Sequence, residues 1–230
     1  MLQILVPMAG RGSRFINSDF IEPKPLISWN NKNMIQHVVD NFFASDVNFF
    51  IIKREEHTIS FENDEVNIID INYVTDGPAT TAYLAKDLID LEQELIITNC
   101  DQIIKDWNKD LFLSFARRYD GVLGCFISNS NKNSYVKVDD NNLVTDVKEK
   151  VVISNIATNG LHYWKKAKYF FESYDEMKLN NDRTNNELYV APSYNYLIKN
   201  KYKIGIYMFN HHFPIGTPED LKKYLKNENN

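Results

Sequence analysis

Apolar and polar positions give the chain two halves of different rhythm. In the first, short apolar runs alternate with longer stretches of helical spacing. Ile4, Leu5 and Val6 read as a buried strand that ends at Pro7. Residues 49–53 and 66–74 read as the next two strands. Leu95, Ile96 and Ile97 form a fourth, stopping at Asn99, Cys100 and Asp101. Between them, residues 34–43 place Met34, Ile35, Val38, Val39, Phe42 and Phe43 at helical spacing. Residues 79–89 do so with Ala82, Ala85, Leu88 and Ile89. Strands alternating with helices predict an α/β fold, a three-layer α/β/α sandwich on a mostly parallel central sheet.

Beyond Lys109 the rhythm changes. After a helix over residues 110–118 come strand-like segments at 122–127, 135–138, 144–147 and 156–164, separated by turn-rich runs. Helical patterns return at 166–177 and 187–199. A last strand spans 204–209, and a C-terminal helix opens at Thr217-Pro218-Glu219-Asp220. Thr217 suits the N-cap, and Pro218 the first helical position. With neither linker nor repeat, one domain is expected over residues 1–230. The part up to about residue 109 reads as nucleotide-binding, and residues 110–230 as its elaboration.

Composition narrows the function. A formal net charge of −5 argues against a general nucleic-acid binder. It leaves room for one anionic small molecule held by local cations. The two cysteines, Cys100 and Cys125, form no CxxC, which points to a reduced, cytoplasmic protein rather than a disulfide framework or zinc site. No run approaches the roughly 20 apolar residues of a membrane helix.

Ligands of open α/β sheets bind beyond the carboxyl ends of the strands. Two predicted loops fall there, residues 8–14 and 99–102. In the first, Gly10 and Gly12 free the backbone to approach a ligand, and successive N–H groups can form an anion nest. Arg14 adds a planar, permanently charged fork. The third glycine of the dinucleotide fingerprint is missing, and no GxxxxGK[ST] is present. Lys24 stands between Pro23 and Pro25, which predicts a stiff, extended backbone under its ammonium.

A strand, Gly10-Arg11-Gly12-Ser13-Arg14, then Pro23-Lys24-Pro25, resembles the sugar nucleotidyltransferase family. The likeness extends to Asn99-Cys100-Asp101-Gln102, to Lys148-Glu149-Lys150 and to Gly216-Thr217-Pro218-Glu219-Asp220, nearly the whole chain in order. The resemblance implies a Rossmann-like, GT-A-like fold and an enzyme that couples a nucleoside triphosphate to a phosphorylated acceptor, releasing pyrophosphate. It assigns catalytic roles to Arg14, Lys24 and Lys150. Nucleotide binding falls to Met8, Ala9, Gly10, Arg11, Gly12, Ser13, Asp76, Gly77, Ala79, Thr80 and Asn99. Acceptor binding falls to Lys148, Asn159, Glu187 and His212, and Mg²⁺ to Asp101. Lys148 competes with Lys150 for the acceptor's phosphate, and Val151 replaces a proline common in the family.

Many members carry a second metal-binding aspartate where this chain has Pro214; Mg²⁺ needs only one or two carboxylates beside substrate phosphates. Several segments look most like a capsule-biosynthesis subgroup, and within it cytidylyltransferases that use CTP and phosphoglutamine. The alternatives are a sugar-1-phosphate nucleotidyltransferase and a non-catalytic nucleotide sensor.

Overall fold

The computed structural model describes residues 1–16, 18–61 and 66–228. In chain order the elements are β1 (Leu2–Pro7), β2 (Ser28–Trp29), β3 (Lys32–Asn33), α1 (Met34–Phe42), β4 (Val47–Arg54) and β5 (Val66–Ile71). Then come α2 (Pro78–Tyr83), β6 (Leu95–Ile97), β7 (Gln102–Ile104), α3 (Lys109–Ala116), β8 (Gly121–Ile127) and β9 (Ser134–Val138). The chain finishes with β10 (Val144–Glu149), β11 (Ile156–Trp164), α4 (Ala167–Leu179), α5 (Tyr194–Lys199), β12 (Ile204–Met208), β13 (His212–Pro214) and α6 (Pro218–Glu228).

The strands that the first half gives to the main sheet are all parallel, in the order β5-β4-β1-β6. The antiparallel strand β11 joins β6 to the second half, where it pairs with β8 and β9; β12 returns parallel to β8. The result is an α/β fold with a mostly parallel central sheet. Near-continuous apolar runs such as Ile4, Leu5 and Val6 are fully buried because both faces of the sheet are covered. On one face pack α1, α3 and α6, through Val38, Phe112 and Leu221; on the other pack α2, α4 and α5, through Ala82, Phe170 and Leu197.

Local chemistry explains the boundaries. Asn33 caps α1 with a reciprocal box: Gln36 N donates to its side chain at 3.0 Å, and Asn33 N donates to the Gln36 side chain at 2.8 Å. Thr217 accepts from Asp220 N at 3.2 Å at the head of α6.

Three expectations change. The helix expected over 79–89 is α-helical only to Tyr83. Beyond it the chain tightens into i→i+3 bonds, such as Leu88 N to Ala85 O at 3.0 Å. The helix expected over 187–199 starts at Tyr194: Leu188 is drawn away by backbone bonds to the segment at Asp76, and Pro192 sits in a 3₁₀ turn over Ala191–Ser193. The strand expected over 66–74 ends at Ile71.

Candidate active site

Loops at the carboxyl ends of β1 and β6 meet the turn before α6. After β1, Met8 and Ala9 are buried, while Gly10, Arg11, Ser13 and Arg14 are exposed. Gly12 takes a left-handed conformation (φ 61°), and a Cβ there would lie 3.1 Å from Lys24 Cβ. Glycine is favoured on both counts. Gly10 has nothing within 4 Å of the position a Cβ would take, so its backbone faces open space.

The backbone at Lys24 departs from the extended geometry expected. Lys24–Leu26 forms a 3₁₀ turn, closed by Leu26 N donating to Pro23 O at 2.8 Å. Pro25 fits because the first residues of such a turn need no N–H donor. The turn directs the Lys24 ammonium onto Asp101 Oδ2. Each side chain keeps less than a fifth of its surface exposed.

Burial works against both charges, yet the pair holds them. The Asp101 carboxylate keeps the Lys24 ammonium above its ordinary pKa. Lys24, then Arg14 and His212, keep Asp101 below the usual carboxylate range. Cys100 next door is half-buried, and its desolvation pushes the thiol up to about 11.

The strand pair β7–β13 brings the C-terminal motif to Asp101. His212 pairs with Ile104 and Pro214 with Gln102, and Ile215 N donates to Asp101 O at 2.9 Å. A Cβ on Gly216 would lie 2.5 Å from Asp101 Oδ2 and 3.9 Å from Arg14 Nη1. Arg14, Lys24, Asp101 and Gly216 are therefore one cluster.

A second cluster forms around Lys150. Its backbone takes a left-handed conformation (φ 57°), uncommon for a side chain-bearing residue. Its ammonium donates to the Tyr189 hydroxyl, which donates to Glu187. Glu149 is buried beside it and accepts from the Ser134 hydroxyl. Burial raises the Glu149 pKa, with the Glu187 charge adding to it, while Ser134, Lys150 and Arg14 pull the other way. Arg14 also acts electrostatically on Tyr189, opposing the rise in its pKa that burial causes.

The other expected site residues take varied positions. Lys148 alternates to the outer face of β10, where it pairs with Asp146 at 3.6 Å, while Lys150 bonds Tyr189. Asn159 is buried in the β11 bulge, packed on Gly124, and accepts from Leu161 N at 3.0 Å. Gly160 (φ 88°) leaves room for the Asn99 amide, which a Cβ would meet at 2.2 Å.

Asp76 is gripped by Arg183 at 2.6 Å, and Thr80 accepts from the Tyr174 hydroxyl at 3.0 Å. Ala79 is buried, and Gly77 (φ 137°) crosses the Leu188 backbone. His212 is half-buried against Phe126, with Nδ1 lacking a partner, and burial holds its pKa near 4.

For Mg²⁺, no group of three or more His, Cys, Asp or Glu suited to a metal occurs among the described residues. Asp101, with the Lys24 ammonium on one oxygen, fits a Mg²⁺ that takes its other ligands from phosphate and water. A cage made by protein alone does not fit. Glu149 and Gly216 stand inside the motifs without a role of their own, and Tyr189 and Arg183 carried no separate signal in the sequence. The alternation of β10 could have found Glu149, since it opposes Lys148.

Among known proteins, the model of the Nucleotidyl transferase family matches residues 4–229. The bifunctional protein GlmU of Methanocaldococcus jannaschii is 26% identical over 97% of this chain, which spans 54% of that relative's length. A nucleoside-diphosphate-sugar pyrophosphorylase from Vibrio cholerae superposes with a TM-score of 0.85 at 23% identity, covering 97% of this chain and 99% of that one. The inositol-1-phosphate CTP transferase from T. maritima does so with 0.71 at 13%, over 98% and 93%. These neighbours share the GT-A-like α/β fold. With the family model covering almost its whole length, the chain belongs to the nucleotidyl transferase family.

Proposed function

We propose that the chain transfers a nucleoside monophosphate from a nucleoside triphosphate to a small phosphorylated acceptor and releases pyrophosphate. The observation that carries this reading is the pair of cationic clusters: Arg14 and the Lys24–Asp101 pair beside Gly216, and the Lys150–Tyr189–Glu187 chain. A cationic fork there can touch a triphosphate while a second cation holds an acceptor phosphate. The nucleotide belongs to residues 1–109 and the acceptor to residues 110–230 of one domain.

An acceptor phosphate oxygen is already nucleophilic, so no general base is needed. It attacks the α-phosphorus, and the bond from that phosphorus to the pyrophosphate oxygen breaks. Lys150 holds the acceptor phosphate in line, and Glu187 binds its polar groups. Backbone N–H groups of residues 8–13, with Arg14 and Lys24, take up the charge on departing pyrophosphate. Mg²⁺, when bound at Asp101, supplies charge neutralisation on the phosphates. Asp76, Gly77, Ala79 and Thr80 flank the nucleoside, and Asn99 and His212 border the reacting groups. Asn159, being buried, shapes the acceptor wall.

For substrates, the motif segments favour CTP and phosphoglutamine, giving CDP-glutamine for capsular polysaccharide phosphoramidate synthesis in the cytoplasm. A second reading, an NDP-sugar product from a sugar 1-phosphate, is favoured by the pyrophosphorylase neighbour and the GlmU relative. Pyrophosphate release, with four nucleoside triphosphates crossed against phosphoglutamine, phosphocholine and several sugar 1-phosphates, tests both. Release with CTP and phosphoglutamine alone supports the first. Release with a sugar 1-phosphate supports the second, and none with any pair leaves a nucleotide sensor.

A further inference from the structure

The segment that carries Glu187 and Tyr189 is fastened to the nucleotide-side segment at residues 76–80, about a hundred positions earlier in the chain. Leu188 N donates to Asp76 O at 2.8 Å, and Ala79 N donates to Leu188 O at 3.0 Å. Gly77 permits the crossing: a Cβ there would lie 2.3 Å from Leu188 O. Arg183 adds the side-chain fastening. Its Nη2 donates to Asp76 Oδ2 at 2.6 Å, Nη1 to Asn186 O at 3.1 Å, and Nε to Asn181 Oδ1 at 2.8 Å. All three guanidinium nitrogens are used, on one partner across the site and two within the loop. The loop itself is tight: Thr184 and Glu187 exchange backbone bonds of 3.0 Å around Asn185 and Asn186, both at positive φ.

Such a loop is tied together internally by backbone and guanidinium bonds. Its outer end is set by Arg183 on Asp76, and its inner end places Glu187 and Tyr189 against Lys150. Resting on the nucleotidyl-transfer reading, we infer that Arg183 is a positioning residue that couples the two halves of the site. Nucleotide bound at residues 76–80 fixes Asp76, Arg183 fixes the loop to it, and Glu187, Tyr189 and Lys150 are set for the acceptor. A lysine is a poor replacement, because one ammonium nitrogen stands where three separate guanidinium nitrogens each reach a different acceptor.

Hydrogen exchange tests this without a known acceptor, because the amides of Thr184, Glu187 and Leu188 are hydrogen-bonded reporters. The full chain is exposed to ATP, CTP, GTP or UTP with Mg²⁺, and exchange is read at residues 8–14 and 184–188. The bound nucleotide is expected to slow both regions in the wild type. In Arg183→Gln and Arg183→Lys, protection of 8–14 persists and the added protection of 184–188 is lost. Where turnover is measurable, acceptor KM rises about fivefold, the scale of one partly exposed ion pair, while nucleotide KM changes less than twofold.

A purely structural role would lower the thermal midpoint and leave nucleotide-induced protection intact. Equal added protection in variants and wild type overturns the coupling, as does a bound nucleotide that leaves 184–188 unprotected in the wild type. Binding of none of the four removes the nucleotidyl-transfer reading and the coupling with it.

Discussion

Gly216→Ala separates the position of Asp101 from the stability of the fold. The new Cβ would lie 2.5 Å from Asp101 Oδ2 and 3.3 Å from its Cγ. Ordinary contact begins near 3.4 Å, so about 0.9 Å must be found. The backbone offers little of it: Ile215 N is bonded to Asp101 O, and Pro214 and Gln102 are ladder partners. The carboxylate must therefore swing, away from the Lys24 ammonium that holds the same oxygen. An off-rotamer side chain costs about 0.5–1.5 kcal/mol, so folding suffers modestly. A group misplaced by about 1 Å costs roughly 10²-fold in turnover.

Gly121→Ala is the control: its Cβ would meet the Tyr194 ring at 2.7 Å and Tyr163 O at 3.3 Å, in the sheet core. It should lose about 1–3 kcal/mol by overpacking while keeping turnover per folded molecule. Urea unfolding and pyrophosphate release, normalised to folded protein, give the two quantities. Wild-type turnover in Gly216→Ala would refute the reasoning, and so would a loss no larger than the unfolded fraction.

Lys24→Ala should lower kcat about 10²–10³-fold, the scale of one preorganised stabiliser, measured at saturating substrates. Lys150→Ala should raise acceptor KM about tenfold to a hundredfold, as expected for one charge-assisted hydrogen bond, and leave nucleotide KM within about twofold in steady-state assays. His162 is buried in β11, neither ring nitrogen has a partner of normal geometry, and burial lowers its pKa from 6.5 to about 4. The folded state thus binds fewer protons than the unfolded state between those values. Stability is full above pH 6.5 and falls as pH drops from 6.5 toward 4, by up to about 3 kcal/mol. His162→Phe should flatten that decline in urea midpoints taken from pH 7 to 5; an unchanged slope would exclude His162 as its source.

The parallel half of the fold was legible because its strands are buried on both faces and read as unbroken apolar runs. The cap at Thr217 was legible for equally local reasons. What escaped depends on distant partners. The ribbon β7–β13 is three residues on each side and has no periodicity to detect. The helix expected over 187–199 lost its first turns to bonds between Leu188 and the segment at Asp76.

At the site, the sequence favoured Lys150 for the acceptor's phosphate and left Lys148 as its competitor. Strand alternation, with Glu149 turned inward, puts Lys148 on the outer face, and the left-handed backbone at Lys150, just past the end of β10, turns that residue onto Tyr189 instead. Asp76 looked like a free nucleotide contact because nothing near it in sequence points to Arg183. Pro214, standing where a metal-binding aspartate is common, serves here as a ladder partner of Gln102.

Nucleotidyl transfer to a phosphate is tested most directly by ³¹P NMR of the wild-type protein with Mg²⁺, a nucleoside triphosphate and the phosphorylated acceptor. The expected result is a new pair of coupled diphosphate signals joining nucleotide and acceptor, with one pyrophosphate formed for each. Orthophosphate appearing without the new diphosphate would contradict it, as would a spectrum unchanged with every pair offered.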